Sequence, residues 1–198
     1  MVRTILYPFT EDSFTDATVQ TVAMIKGLRK SGAVSPICTV DKEGRISRLL
    51  GKERLDYAVV PVVRQVRPDA FYLKALFILM TTTLAQFTFF RMHKIQAAHC
   101  FDLNTLMTWG NAFRMYRVPY FLSLDELPKV AKMASLMITD ARIVACRDSA
   151  MIERLPRFAK KKAAVSPDEQ ECLPFWADRY NLLSKPFSFT QSTGLLNK

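Results

Sequence analysis

The sequence predicts an α/β domain built on a parallel sheet with helices on both faces. Two observations carry that expectation. Short, nearly continuous apolar runs alternate with segments of helical periodicity along most of the chain, and runs that are apolar throughout belong to strands covered on both faces by crossover helices. The chain is also 198 residues long and 49% hydrophobic, which suffices to bury a sizeable core without disulfide staples. With only six Gly and ten Pro among so many apolar residues, collagen-like, low-complexity and wholly disordered classes are excluded.

Thr4 to Tyr7 reads as the first strand, stopped by Pro8. Phe14, Ala17, Val22, Ile25 and Leu28 recur near helical spacing, with Thr15 or Asp16 as the cap and Gly32 beyond the end. Ala33 to Val40 is apolar and β-branched, Arg45 to Leu50 is a short basic helix, and Tyr57 to Val62 is a third strand. A long helix is expected from about Ala70 to Met92. Between Leu73 and Phe90 its only charge is Lys74, but Gln86 and four threonines, Thr81, Thr82, Thr83 and Thr88, dilute it. A membrane span needs about 20 predominantly apolar residues, so a helix on the flank of the sheet is the first reading, interfacial attachment the second and a span the third. Ile95 to His99 is the next apolar run, and Leu103 to Tyr116 is a helix that Asp102 can cap. Pro119 to Ser123 and Ala141 to Cys146 are strands, Lys129 to Met137 and Ser149 to Leu155 are helical, and Lys162 to Ser166 is a last strand. The order fits a Rossmann-like domain over residues 1–175. Periodicity then fades, and 176–198, with Pro186 and Gly194, reads as an irregular tail or linker.

The balance of 28 Lys+Arg against 18 Asp+Glu gives a net charge of +10 and a pI near 9.6. Anionic membrane, phosphorylated ligands and nucleic acid are the partner classes this admits. Arg45, Arg48 and Lys52, together with Arg91 and Lys94, are the expected membrane-facing cations, although each also suits an ordinary solvated face. Nucleic-acid binding is the rival, without an RNP-like, helix-turn-helix or KH signature to support it. Cys38, Cys100, Cys146 and Cys172 form no Cys-x-x-Cys pair, and His93 and His99 are the only imidazoles, so neither a metal site nor a cofactor is expected. The N-terminal apolar run is too short for a signal peptide, and reduced thiols place the protein in the cytoplasm.

In open parallel sheets, ligands gather beyond the carboxyl ends of the strands. The first such loop, Phe9 to Ser13, has no glycine to let a phosphate approach the backbone. Its Glu11 and Asp12 can accept from sugar hydroxyls or cap the next helix. In the loop from His99 to Asn104, His99 is the catalytic candidate, as a proton donor or as a hydrogen-bonding partner of a bound hydroxyl, flanked by Asp102 and Asn104 as substrate contacts. The alternative is a partly buried histidine satisfied by a backbone carbonyl, with Asp102 as N-cap. Cys100 reads as a small buried hydrophobe, and Ser123-Leu124-Asp125-Glu126 as another helix start.

Three segments carry a resemblance: Ile95 to Leu106, Arg117 to Asp125, and Thr139 to Ser149. Taken in order, they resemble the N-terminal domain of GT-B glycosyltransferases of the family-4 type, in which the corresponding segments read approximately D-I-V-H-A-H-D, G-V-P-Y-V-x-T-x-H-D and A-D-x-V-I-A-V-S-E. The resemblance covers most of Arg3 to Phe175. It aligns His99 with the first histidine of the family's H-x-H segment and Asp102 with the acid after it, while Phe101 stands where the second histidine would be. The family's Gly-Gly pair after the first strand is replaced by Glu11 to Asp16, and its serine-glutamate by Arg147-Asp148. The resemblance implies an acceptor-binding half that takes a glycan or lipid-linked acceptor. The nucleotide-sugar donor would be held mostly by a second Rossmann-type domain, supplied in trans, with His99, Asp102 and Asn104 lining the cleft between the two. It further implies attachment to the inner face of the membrane. A non-catalytic accessory protein that keeps the fold is the alternative, suggested by Phe101 and the missing glycines.

Overall fold

A computed structural model describes residues 3–11, 14–60, 85–126, 132–166 and 169–181. Strands β1 (Arg3–Pro8), β2 (Val34–Val40), β3 (Tyr57–Val59), β4 (Ala97–Cys100), β5 (Tyr120–Leu124), β6 (Ile143–Cys146) and β7 (Ala163–Val165) form one seven-stranded sheet. Its order is β3-β2-β1-β4-β5-β6-β7, with every neighbouring pair parallel. The helices are α1 (Asp16–Lys30), α2 (Arg45–Lys52), α3 (described over 85–93), α4 (Leu103–Met115), α5 (Lys132–Asp140), α6 (Ser149–Arg154), α7 (Arg157–Lys160) and α8 (Glu169–Asn181). This is the Rossmann-like α/β architecture expected from the alternation.

Because successive strand residues point to opposite faces, the sheet divides the core in two. Ile5, Tyr7, Ala97, Phe121 and Ala145 pack beneath α1, α2 and α8. On the other face Leu6, Ala98, Cys100, Leu122 and Val144 pack beneath α3 to α7. Both faces of each central strand are therefore dry, which is why those strands read as unbroken apolar runs.

Most elements lie within a few residues of their expected positions. Of the expected helix over 70–92, residues 85–92 are helical and the remainder lies outside the described residues. Among the described residues no helix is long and apolar enough to cross a membrane. The short α7 was not expected, and neither was α8. Helix α8 corrects the tail reading for 176–181, because Trp176 and Tyr180 are each only 1% exposed and belong to the core; residues 182–198 lie outside the described residues. Cys172, Trp176 and Tyr180 recur at a stride of four, so the helical signal was present in the sequence, with Pro174 interrupting it.

Four helices stop in the same way. Gly32, Arg54, Lys94 and Arg117 have φ of 71°, 57°, 49° and 53°. The next residue turns its N–H back onto a carbonyl five residues earlier: Ala33 to Leu28 at 3.2 Å, Leu55 to Leu50 at 3.0 Å, Ile95 to Phe90 at 3.4 Å and Val118 to Phe113 at 2.8 Å. These are Schellman closures, which satisfy orphan carbonyls and pin an apolar residue against the last turn. Each one delivers the chain into the next strand.

Candidate functional site

The chain runs outward from β1 through β2 to β3 on one side, while β4 lies on the other side of β1. The crevice above β1 and β4 is thus the topological switch point, where open α/β sheets bind ligands. Its walls are the loop after β1 and the start of α4. Thr10 and Thr105 bridge it with hydroxyl oxygens 3.3 Å apart. Asp102 closes α4: its carboxylate accepts from the Thr105 N–H at 2.7 Å and from the Thr105 hydroxyl at 2.6 Å. Burial pushes the Asp102 carboxyl above its ordinary range, and the bonds from Thr105 pull it partly back. Asn104 is half-buried at the same helix start, and its backbone N–H also points at the Asp102 carboxylate. The structure thus brings Asp102 and Asn104 together at the crevice, with Asp102 in the N-cap role.

Glu11 is placed elsewhere. Its carboxylate accepts from the Ile46 N–H at 2.7 and 2.9 Å and from the Ser47 N–H at 3.4 Å, so it caps the N-terminus of α2 from 35 residues away. The Glu11 N–H donates to Asp41 at 2.8 Å. Gly44 makes room for this arrangement, since a Cβ there would run into the Glu11 carboxyl group. Glu11 is buried and spends its oxygens inside the protein, which corrects its expected role toward sugar hydroxyls. Asp12 lies outside the described residues. In the loop after β6, Asp148 caps α6 by accepting from the Met151 N–H at 2.8 Å. Glu11, Asp102 and Asp148 therefore put the chain's own negative charge at three helix N-termini on this edge of the sheet, where an unoccupied N-terminus would favour a phosphate.

His99, the expected proton donor, points into the face covered by α8 and is fully buried. Tyr7 donates to the Tyr180 hydroxyl at 3.2 Å, and that hydroxyl lies 2.6 Å from His99 Nδ1. The Tyr180 proton is thus directed at Nδ1, which leaves Nε2–H to donate to Ser123 Oγ at 2.8 Å. The ring is held between Phe101 and Trp176, with centroids at 4.2 and 4.1 Å. Burial drives its pKa well below the ordinary histidine value and raises both tyrosines, so all three groups stay neutral. This corrects the expectation of a proton donor facing substrate. It is the buried-histidine alternative, with two hydroxyls in place of the backbone carbonyl. The missed partners, Tyr180 and Ser123, lie far away in sequence, and only the register of β4 with β5 and the course of α8 bring them to the ring.

Cys38, Cys100 and Cys146 are buried free thiols. Burial raises all three, Cys146 to about 11, so none is poised as a thiolate nucleophile. Among the described residues no group of His, Cys, Asp and Glu is arranged to hold a metal ion. The five expected membrane-facing cations are all exposed but do not form one surface. Arg45 and Arg48 sit at the start of α2, on the carboxyl edge, where Arg45 lies 6.0 Å from the Phe14 ring. Lys52, Arg91 and Lys94 sit at the ends of α2 and α3, on the amino edge.

No protein-family model and no curated protein matches this sequence. Solved structures do match in fold. A glycosyltransferase from Rickettsia africae superposes with a TM-score of 0.63 at 11% identity, over 91% of this chain and 50% of that one. MurG from Acinetobacter baumannii gives 0.60 at 15% identity, over 83% of this chain and 44% of its own. Anabaena HepE, solved with UDP and glucose, gives 0.56 at 13% identity, over 81% and 43%. The chain spans half or less of the length of each of these proteins, and it has the fold of a GT-B N-terminal-type domain, as the resemblance implied.

Proposed function

We propose that this chain, a GT-B N-terminal-type domain by fold, is the acceptor-side half of a glycosyltransferase. It works with a second Rossmann-type domain that holds most of the nucleotide sugar. The observation that supports this division of labour most directly is the filling of helix N-termini on the carboxyl edge: Glu11, Asp102 and Asp148 occupy the positions where a diphosphate would otherwise be received. Negative charge there repels a nucleotide diphosphate but suits hydroxyl groups, so a glycan or the sugar of a lipid-linked acceptor is the ligand the β1/β4 crevice takes. Half-buried Asn104, at the start of α4, is the polar side chain that the loop after β4 offers it. His99 lies beneath as a positioning residue that fixes Phe101 and α8.

A second reading, an accessory protein that binds without catalysis, is favoured by the sealing of His99 between Phe101 and Trp176. Two measurements separate the readings. Calorimetric titration of the chain alone with UDP is expected to give no binding, and turnover of a UDP-sugar by the chain alone would sink the half-enzyme assignment. Co-purification is expected to recover a second Rossmann-type protein, with sugar transfer appearing only when both are present. A recovered pair that transfers no sugar establishes the accessory reading instead.

A further inference from the structure

One chain of hydrogen bonds runs from the core to the carboxyl edge of the sheet. Tyr7 donates to the Tyr180 hydroxyl at 3.2 Å, that hydroxyl lies 2.6 Å from His99 Nδ1, and His99 Nε2 lies 2.8 Å from Ser123 Oγ. Tyr7, Tyr180 and His99 are all buried, whereas Ser123 is partly exposed near the end of β5. It stands two residues beyond Phe121, the register partner of His99, so both side chains lie on the same face of the sheet, with the serine nearer the carboxyl edge. The direction of the chain follows from its buried end. Among the described residues the hydrogen-bond partner of Tyr7 is the Tyr180 oxygen, and a reversed chain would leave the Tyr7 proton in the core at the full desolvation cost of an unpaired donor. The Tyr7 proton therefore goes to Tyr180, the Tyr180 proton to Nδ1 and the Nε2 proton to Ser123, each bond polarising the next.

Burial keeps the imidazole neutral, so no further proton reverses that order. Ser123 is thus an acceptor toward the core and a donor outward: its oxygen receives Nε2–H, and among the described residues nothing takes its own proton. An ordinary surface serine rotates its hydroxyl to suit either a donor or an acceptor, whereas this one is committed to donating. The surrounding charge decides what it donates to. Asp125 and Glu126 are exposed just beyond β5, Asp148 caps α6 after the neighbouring strand, and Arg147 offsets one of these three charges. Residual negative charge disfavours a phosphate or carboxylate and admits an uncharged oxygen, such as the hydroxyl or amide carbonyl of a sugar. We propose that Ser123 is a specificity-determining residue that donates its hydroxyl proton to an uncharged oxygen of a bound sugar, with Tyr7, Tyr180 and His99 as positioning residues that fix the direction of that bond. The identity of the ligand rests on the acceptor-side reading; the direction of the chain does not.

Nuclear magnetic resonance of the full chain tests both parts. At pH 7 the ring nitrogen shifts of His99, told from those of His93 with an H93Q variant, are expected to show an unprotonated Nδ1 and a protonated Nε2. The chain is then titrated with the methyl glycosides of glucose, galactose, mannose and N-acetylglucosamine, of which at least one is expected to bind. S123A is expected to weaken that binding about two- to tenfold, the contribution of one hydrogen bond, and S123T to restore it. H99Q is expected to weaken binding in the wild-type background and to add nothing in S123A, because a positioning residue acts through the serine. Ser123 is partly exposed, and circular dichroism melts verify that each variant is folded at the temperature of the titration. A protonated Nδ1, binding unchanged in S123A, or an H99Q loss that persists in full in S123A overturns the assignment. So does failure of all four glycosides to bind, or their displacement by inorganic phosphate, which would identify an anion site. Glycoside binding indifferent to Ser123 leaves the acceptor-side reading standing, whereas a recovered partner that supports no sugar transfer overturns the transferase reading and leaves the Ser123 contact measurable.

Discussion

Because Tyr180 directs its proton at Nδ1 of His99, the imidazole is locked in its neutral form with Ser123 as the acceptor from Nε2. Protonating Nδ1 would set two donors against each other inside the core. The folded-state pKa of His99 is depressed by burial, so its contribution to stability is present above the unfolded value of about 6.5 and is lost as pH falls below it. Urea unfolding is therefore expected to show stability dropping between about pH 7 and pH 5.5, by at most about 1.4 kcal/mol per pH unit from this group. His99→Gln is expected to be less stable at neutral pH and flatter across that window; a wild-type profile with no such slope would contradict the hydrogen-bond assignment. Asp102, raised by burial, acts with the opposite sign, its contribution being lost as pH rises through its folded value. At this scale the sequence revealed the caps well, since Asp102 and the Thr105 N–H are three residues apart. The role of His99 was not legible, because its bonding partners Tyr180 and Ser123 are 81 and 24 residues distant.

The recurring element is a helix closed by a left-handed residue and handed on to a strand. At Arg54, Lys94 and Arg117 that residue carries a Cβ, and the left-handed conformation costs a non-glycine residue about 1 kcal/mol. Arg54 allows a clean test because its side chain is exposed just beyond α2. Arg54→Gly is expected to stabilise the protein by up to about 0.5 kcal/mol, after the larger unfolded-state entropy of glycine is deducted, and thus to raise the melting temperature by about 1–2 °C. A lowered melting temperature would show that the Arg54 side chain contributes more than its conformation costs. Element types were largely readable from the sequence because periods of two and of about 3.6 are local properties of the chain. Helix α8 escaped because Pro174 broke the pattern, and because Cys172, Trp176 and Tyr180 acquire their meaning from a sheet face they reach only after folding.

At the scale of the whole molecule, α8 completes the domain. Trp176 contacts His99 and Phe121, and Tyr180 joins β1 to β4 through Tyr7 and His99, so this helix covers a sheet face that would otherwise be open. Trp176→Ala is expected to cost about 3–5 kcal/mol in urea unfolding, the usual penalty for emptying a large core site. A cost below about 1 kcal/mol would mean that α8 is an appendage after all. The same architecture polarises the molecule. Glu11, Asp102 and Asp148 close helix starts on the carboxyl edge, while Lys52, Arg91, Lys94 and Arg114 lie at helix ends on the amino edge, as the helix dipoles favour. By itself the sequence determined most of the elements, their order and the caps at Thr15 and Asp102, because each depends on residues within about one helical turn of each other. Only the tertiary structure decided that Glu11 would close α2, that α8 would seal His99, and that Phe90 of α3 would pack against Phe113 and Tyr116 at the end of α4. Those outcomes rest on which strands become neighbours, and remote hydrogen bonds and packed rings form only once the sheet has set that order.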